Sequence, residues 1–164
     1  MDEGCSMKRL FALFLFLTLA LSHQVYAESL KPFVGASKTE IEKSHVGQPM
    51  VLAFWSVDCP YCMDELNVVA DLLKKHPKIR LVLVNTDGST AAQDVVKALN
   101  KMRLPLVYEA WQFAEPDEDR LRYSIDKGWY GELPRTYYYE NSHQVKAISG
   151  SPDLIWLKNW VSKF

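Results

Sequence analysis

The sequence has no excess of charge of either sign: 19 basic residues stand against 20 acidic ones, and the formal net charge is -1. This overall balance gives no sign of the basic surface that nucleic-acid binding requires, so nucleic acid is not an expected partner. The sequence also lacks internal repeats, low-complexity tracts and interdomain linkers. Its 164 residues, 48% of them hydrophobic, are enough for one well-packed domain and too few for two ordinary ones.

A hydrophobic run long enough to cross a membrane is also missing. The apolar run from Leu10 to Leu21 has 12 residues, whereas a membrane-spanning helix needs roughly 20. Lys8 and Arg9 precede this run, and polar and then small residues follow it up to Ala27, an order typical of a secretory signal. We therefore expect residues 1–27 to be a cleaved signal peptide. Retention of this segment as an anchor is the alternative.

Cysteine is scarce, with three residues in the whole chain. Cys5 precedes the apolar run and is lost with the predicted signal, so the mature chain keeps Cys59 and Cys62. Residues 28–164 are expected to form a single domain that is soluble in the periplasm or in another exported compartment. In such an oxidising compartment two thiols form either a structural disulfide or a redox couple.

Hydrophobic patterning predicts strands that alternate with helices, followed by a hairpin, which is typical of an α/β domain containing a parallel βαβ unit. The predicted strands are 50–55, 79–85 and 104–108, with 136–139 and 145–149 as the hairpin. The predicted helices are 37–45, 60–75, 91–102, a short one ending at 125, and a closing helix after Pro152.

Two of these helices carry predicted caps. Ser37 and Glu40 match a capping box, and Ser151 is the predicted N-cap of the closing helix, with Pro152 in its first turn. The apolar face predicted for the closing helix comprises Leu154, Ile155, Leu157 and Val161. The aromatic stretch 109–131 is less regular and is interpreted as a surface insertion, with a partner-recognition surface as the alternative.

The motif Cys59-Pro60-Tyr61-Cys62 lies where a predicted buried strand gives way to a helix. Backbone N–H groups and the dipole at a helix N-terminus stabilise a thiolate, so Cys59 is the predicted nucleophile. Cys62, three residues on, lies on the same helical face and can resolve a mixed disulfide. Pro60 suits the first helical turn, and Tyr61 is expected to be exposed on the docking surface.

Two other interpretations of the cysteine pair are weaker. A disulfide across two intervening residues closes a very small loop and stabilises a fold poorly. A zinc site needs four ligands, and His45, His76 and His143 lack matching spacing to join the two cysteines. The sequence therefore favours redox chemistry by a Cys59–Cys62 disulfide, with no metal and no organic cofactor.

Several segments together resemble a known family. Residues 54–62 with Glu65, residues 47–49 before the first core strand, residues 84–87 after the second, and residues 133–136 resemble the thioredoxin superfamily, closest to its exported TlpA-like branch. The resemblance implies a thioredoxin fold, which is a central mixed β-sheet flanked by helices, here with an insertion before the cis-proline strand. It also implies that Pro134 is the cis-proline facing the cysteines, that Leu133 offers its backbone to an extended partner segment, and that Trp55 packs beside the site.

Three positions depart from the family pattern. Ala53 replaces the buried acid of thioredoxins, Leu83 replaces a buried lysine, and Asn67 stands near the place of the helix-kinking proline. Proton transfer to or from Cys62 must therefore rely on water, Glu65 or a partner.

The predicted function is disulfide exchange with the thiols or disulfides of other exported proteins, with reduction favoured and disulfide formation as the alternative. A membrane thiol-disulfide protein is implied as the partner that resets the pair after each turnover. Two alternatives remain: a glutaredoxin-like deglutathionylating enzyme, because Cys-Pro-Tyr-Cys is also the usual glutaredoxin motif, and a non-catalytic binding or chaperone module on the same fold.

Overall fold

A computed structural model describes residues 30–164, in which six strands form one mixed sheet. The predicted signal peptide, its cleavage site and Cys5 lie outside the described residues. The strands are β1 (Lys31–Phe33), β2 (Met50–Trp55), β3 (Arg80–Asn85), β4 (Glu109–Phe113), β5 (Arg135–Tyr139) and β6 (Val145–Ser149). The helices are α1 (Ser37–Ser44), α2 (Cys62–Leu73), α3 (Ala92–Lys101), α4 (Glu118–Ile125) and α5 (Leu154–Val161).

The sheet order is β1-β4-β3-β2-β5-β6. Strands β1 to β4 are mutually parallel, while β5 is antiparallel to β2 and β6 is antiparallel to β5. The central mixed sheet and its flanking helices confirm the predicted fold class. Within residues 30–164 no helix is long and apolar enough to span a membrane.

Strand β2 is the centre of the core because all six of its residues are buried. Alternate side chains point to opposite faces of a strand, so β2 contributes to both hydrophobic layers. Its residues Val51, Ala53 and Trp55 pack with apolar side chains of α2, α3 and α5. Residues of the other parity, such as Phe54, pack with α1, α4 and the buried faces of β1 and β4.

The predicted strand at 104–108 is wrong. These residues form a loop in which Leu106 is fully exposed and Val107 is 68% exposed, and the sheet strand is β4, which starts at Glu109. The stretch 109–131 therefore begins with a core strand instead of being wholly a surface insertion. Pro105, which has no backbone N–H, cannot donate to a sheet ladder, and this explains why the apolar pattern does not continue as a strand.

The rest of the stretch 109–131 is also more buried than the prediction implies. Helix α4 confirms the short helix ending at residue 125. Trp129 is 4% exposed and its ring centroid lies 5.0 Å from that of Phe54. Most aromatic residues of this stretch thus complete one hydrophobic layer, and the exceptions are Tyr123 and Tyr130, which are 59% and 92% exposed.

The helix boundaries differ from the predicted caps. Ser37 is the first residue of α1 instead of its N-cap, and its hydroxyl oxygen accepts a hydrogen bond from Val34 N at 2.9 Å. Asp153 instead of Ser151 caps α5, because its carboxylate accepts from Trp156 N at 2.7 Å.

The buried face of α5 also differs from the prediction. Leu157 and Val161 are buried as expected, and Trp160 is buried with them. Leu154 and Ile155 are 52% and 72% exposed. The face of α5 that packs on the core is therefore not the face that the spacing of its aliphatic residues predicts.

Candidate active site

Cys59 and Cys62 form a disulfide at the end of the sheet where β2 terminates. The two Cα atoms are 5.4 Å apart and the sulfur atoms 2.10 Å apart. Helix α2 begins at Cys62, whose backbone N–H donates to Cys59 O at 3.2 Å. Pro60 thus lies in the turn before the helix, two residues ahead of its first residue, and not in the first helical turn as predicted.

Burial distinguishes the two cysteines. Cys62 is completely buried, whereas Cys59 is partly exposed and packs against the edge of the same hydrophobic layer. Tyr61, between them, is 75% exposed, as predicted. A partner can therefore reach the sulfur of Cys59, while that of Cys62 is accessible only from Cys59.

Trp55 lies at the last position of β2, fully buried and in the same hydrophobic layer as Cys62. Its carbonyl oxygen accepts a hydrogen bond from Thr86 N at 2.8 Å and one from the Thr86 hydroxyl at 3.3 Å. Its indole Nε1 is buried and has no hydrogen-bond partner within residues 30–164. Trp55 therefore supports the cysteine turn from beneath and is not exposed to a docking protein.

Asp87, just after β3, fixes the segment that leads into Cys59. Its carboxylate accepts from the Ser56 hydroxyl at 2.6 Å, from Val57 N at 2.8 Å and from Asn85 Nδ2 at 2.8 Å. The Ser56 hydroxyl oxygen in turn accepts from Asp58 N at 3.0 Å. Hydrogen bonds to a charged acceptor are stronger than neutral ones, so this carboxylate ties two strand ends together beside the disulfide.

Glu65 is the one buried acid of this region, 6% exposed and one turn along α2 from Cys62. Neither of its carboxyl oxygens has a hydrogen-bond partner of standard geometry within the described residues. Burial raises the pKa of Glu65, and a weaker interaction with the Ser151 side chain opposes that shift. A carboxyl group with a raised pKa, on the same buried helix face as a redox-active cysteine, has the properties of a proton acceptor or donor.

The Leu133–Pro134 peptide bond is cis, which confirms the expectation from the resemblance. Leu133 is partly buried and packs against both hydrophobic layers. Pro134 is buried, and its carbonyl oxygen accepts from Gly150 N at 2.8 Å. This bond joins the cis-proline loop to the end of the edge strand β6.

Arg135 fixes the other side of the same loop. Its guanidinium donates to Asp126 at 2.7 Å and to the Ser149 hydroxyl at 2.8 Å, and Tyr137 donates to the same Asp126 oxygen at 2.9 Å. The Gly128 backbone N–H, and after it Arg135 and Tyr137, lower the pKa of Asp126. Burial raises the pKa of Tyr137 to about 12.

Sequence reasoning missed Asp87, Ser56, Asp126 and Arg135 as supports of the site. Asp87 lies in a segment that carried the resemblance, but its partners are about 30 residues away and only the parallel register of β2 and β3 brings them together. A metal centre is not supported by the geometry, because no group of three His, Cys, Asp or Glu side chains in residues 30–164 could hold an ion.

Solved structures similar to this one cover most of the chain at low sequence identity. A secreted disulfide oxidoreductase of Mycobacterium tuberculosis, homologous to DsbE of E. coli, is 17% identical with a TM-score of 0.53, covering 74% of this chain and 86% of that one. DsbF of MTB, in mixed oxidised and reduced forms, is 24% identical with a TM-score of 0.56, covering 74% and 84%.

A third similar structure is a thiol:disulfide interchange protein of the thioredoxin family from Chlorobium tepidum, 16% identical with a TM-score of 0.55, covering 74% of this chain and 83% of that one. No protein-family model and no curated protein matches the chain. The sheet order, the disulfide before α2, the cis-proline before β5 and these structural neighbours agree. The chain has the thioredoxin fold.

Proposed function

We propose that this protein is an exported thiol-disulfide oxidoreductase that exchanges disulfides with other exported proteins through Cys59 and Cys62. The observation that carries the proposal is the pairing of a partly exposed Cys59 with a completely buried Cys62 in one disulfide at the start of a helix. A stapling disulfide has no need for this asymmetry, whereas exchange requires one sulfur that a partner can reach and a second that only the first can reach. The fold of the similar structures supports the same chemistry.

In the reducing direction the reaction has two steps. The Cys59 thiolate attacks one sulfur of a partner disulfide, so that a mixed disulfide forms and one partner thiolate leaves. The Cys62 thiolate then attacks Cys59, and the second partner thiolate leaves. Two electrons have moved to the partner, and the Cys59–Cys62 disulfide is the oxidised product.

Cys62 must lose its proton before the second step, and Glu65 is the group placed to receive it. Both side chains are buried on one face of α2, three residues apart, and burial raises the pKa of Glu65. The acid that thioredoxins carry on the core strand is replaced by Ala53, so β2 contributes no carboxylate near the cysteine pair. We assign Glu65 as the proton acceptor for Cys62.

The reducing direction is supported by the acids around the pair. Asp64 and Glu65 lie in the first turn of α2, and Asp58 precedes Cys59 directly. Negative charge at this position opposes formation of a thiolate, and so offsets the positive end of the helix dipole. A less stable thiolate makes the dithiol form a stronger reductant.

The docking surface comprises the residues that surround Cys59. Pro60 and Tyr61 are exposed, and the backbone of Leu133 before Pro134 is proposed to pair with an extended segment of the partner. Trp55 is buried in the hydrophobic layer next to the cysteines and contributes by fixing the end of β2. The partners are thiols or disulfides of exported proteins, and a membrane thiol-disulfide protein resets the pair. No metal or organic cofactor is needed for this chemistry.

Trapping of the mixed disulfide tests the proposed roles. In Cys62→Ser the first step proceeds and the second cannot, so we expect covalent complexes with exported proteins that dithiothreitol releases. Cys59→Ser is the matched control and should trap none. Equal trapping by the two variants, or none by either, would contradict the assignment of Cys59 as the nucleophile.

The same variants separate the two alternative functions. Glutathione adducts, but no protein adducts, on Cys62→Ser would support the deglutathionylating enzyme. Unchanged partner affinity in a variant that lacks both cysteines would support the non-catalytic binding module.

A further inference from the structure

The loop of residues 104–107, between α3 and β4, projects apolar side chains into solvent. Leu106 is fully exposed and Val107 is 68% exposed. The four loop residues line an open cavity of about 570 Å³ together with Leu73, Pro77 and Ile79. Single exposed apolar residues are common, but an adjacent pair at the tip of a loop over an apolar cavity marks an interaction site.

Basic residues surround this apolar loop. Six exposed cations lie in the two segments 71–80 and 101–107: Lys74, Lys75, Lys78, Arg80, Lys101 and Arg103. These segments contain a single acid, Asp71, which already pairs with Lys74 at 3.1 Å and Arg103 at 2.9 Å. The remaining described residues contain 16 acids and 11 bases, so the positive charge of a nearly neutral protein is concentrated in these two segments.

Topology places the apolar loop at the end of the sheet opposite the disulfide. Strands β1 to β4 are parallel, so their first residues lie at one end of the sheet. The loop directly precedes β4 and therefore lies at that end. Strand β1 begins at the same end of the sheet, where Lys31 is opposite Trp111. Cys59 follows the far end of β2, a strand of six residues, which corresponds to about 20 Å.

We propose that the apolar loop and the six cations around it dock on an anionic membrane surface. Leu106 and Val107 enter the interfacial layer, the cations lie against the lipid phosphates, and the Cys59–Cys62 disulfide faces away from the membrane. Each basic residue near the membrane strengthens attachment to anionic lipid. Apolar residues that enter the interface add a contribution to the binding free energy that salt does not screen. The inference does not depend on the exchange chemistry of the cysteines.

Charge and shape favour a membrane over a second copy of the chain or an acidic protein as the occupant of this surface. A second copy would bring two surfaces of the same sign together, which is unfavourable. An acidic protein would have to enclose a projecting apolar tip, whereas a lipid surface accepts such a tip without a matching pocket.

Vesicle binding of the mature chain, residues 28–164, tests the proposal. The six strands, five helices and two hydrophobic layers all lie within residues 30–164, so this chain contains the whole described fold. We expect it to float with vesicles containing about 30% phosphatidylglycerol and not with pure phosphatidylcholine. Because the Debye length falls to about 3 Å at 1 M salt, high salt should reverse most of the binding.

Two pairs of matched variants locate the binding site. Leu106→Ser with Val107→Ser should weaken binding about tenfold or more, because the apolar side chains no longer enter the interface. The control is Leu154→Ser with Ile155→Ser, which removes two other exposed apolar side chains, on α5, and should change nothing.

The charge variants provide the second pair. Replacing Lys74, Lys75 and Lys78 by Gln should weaken binding on the order of 100-fold. Replacing three exposed cations elsewhere by Gln, namely Arg120, Lys127 and Lys158, removes the same net charge and should have a much smaller effect.

Three results would overturn the proposal. The first is no binding of the wild type to anionic vesicles. The second is equal loss of binding in a variant and its control, which would show that the effect belongs to net charge or hydrophobicity and not to this surface. The third is a dimer of the wild type that Leu106→Ser with Val107→Ser dissociates, which would assign the apolar loop to a second copy. All variants alter exposed side chains, and thermal unfolding checks that each retains the wild-type fold.

Discussion

Replacing Asp87 by Ala should loosen the segment that leads into Cys59. The carboxylate accepts three hydrogen bonds, from Ser56, Val57 and Asn85, at 2.6 to 2.8 Å. A hydrogen bond to a charged group contributes about 1.5–3 kcal/mol, but bonds that share one acceptor are not additive. We therefore expect a loss of roughly 3–4 kcal/mol in the free energy of unfolding, nearer to two bonds than to three.

Urea unfolding of the oxidised protein measures this loss, and Asp94→Ala is the matched control. Asp94 pairs with Lys97 at 2.9 Å, but both side chains are 67% exposed, so its removal should change stability by less than about 0.5 kcal/mol. Insulin reduction by Asp87→Ala should also fall by about tenfold or more, because Cys59 loses its fixed position.

A double-mutant cycle with Ser56→Ala isolates the bond between the two side chains. We expect a coupling energy of about 1–2 kcal/mol between Ser56 and Asp87, since their oxygens are 2.6 Å apart. If the free energies of unfolding of Asp87→Ala and Asp94→Ala differ by less than about 1 kcal/mol, or if the coupling energy is zero, the Asp87 carboxylate does not hold the segment that leads into Cys59.

Glu65→Gln should stabilise the protein increasingly as the pH rises above 4.5. Burial raises the pKa of Glu65 in the folded state, so ionisation of this carboxyl group opposes folding and Gln avoids that cost. Denaturant midpoints from pH 4 to 9 should show the gain in stability, which levels off above the folded-state pKa. The same variant should release partners from Cys59 more slowly, as measured by the lifetime of the mixed disulfide. Arg135→Met should cost about 2–4 kcal/mol in urea unfolding, because it leaves the half-buried Asp126 without its cation. Phe54→Ala should cost about 3–5 kcal/mol through the cavity it leaves in a fully buried aromatic cluster.

The part of the fold that could be predicted from sequence is the part that local patterns determine. The continuous apolar run of β2 has turn-forming residues at both ends, so its boundaries agree with the structure, and the cysteine motif and α2 follow from it. The cis bond at Pro134 came from the family resemblance instead of from any local pattern. The hairpin of β5 and β6 was predicted because its turn residues and alternation are also local.

The rest depends on contacts that a local pattern does not contain. Strand β1 has three residues and forms only because β4, about 80 residues away, offers it an edge. The apolar residues 104–108 resemble a strand but lie outside the sheet, since hydrophobicity alone does not distinguish a buried strand from an exposed loop. Asp87 and Arg135 contact partners on neighbouring elements, so their roles became visible only with the sheet register.

The equilibrium between the Cys59–Cys62 pair and glutathione measures the reducing power that we propose for this protein. The mature protein is incubated in buffers of defined glutathione redox ratio, and the reduced fraction is read by alkylation. We expect one two-electron transition at a potential close to that of thioredoxin, about −270 mV, together with reduction of insulin. A potential near about −120 mV, the value of the strong oxidant DsbA, would contradict the reducing direction, and a pair that does not exchange with glutathione or insulin would contradict the oxidoreductase itself.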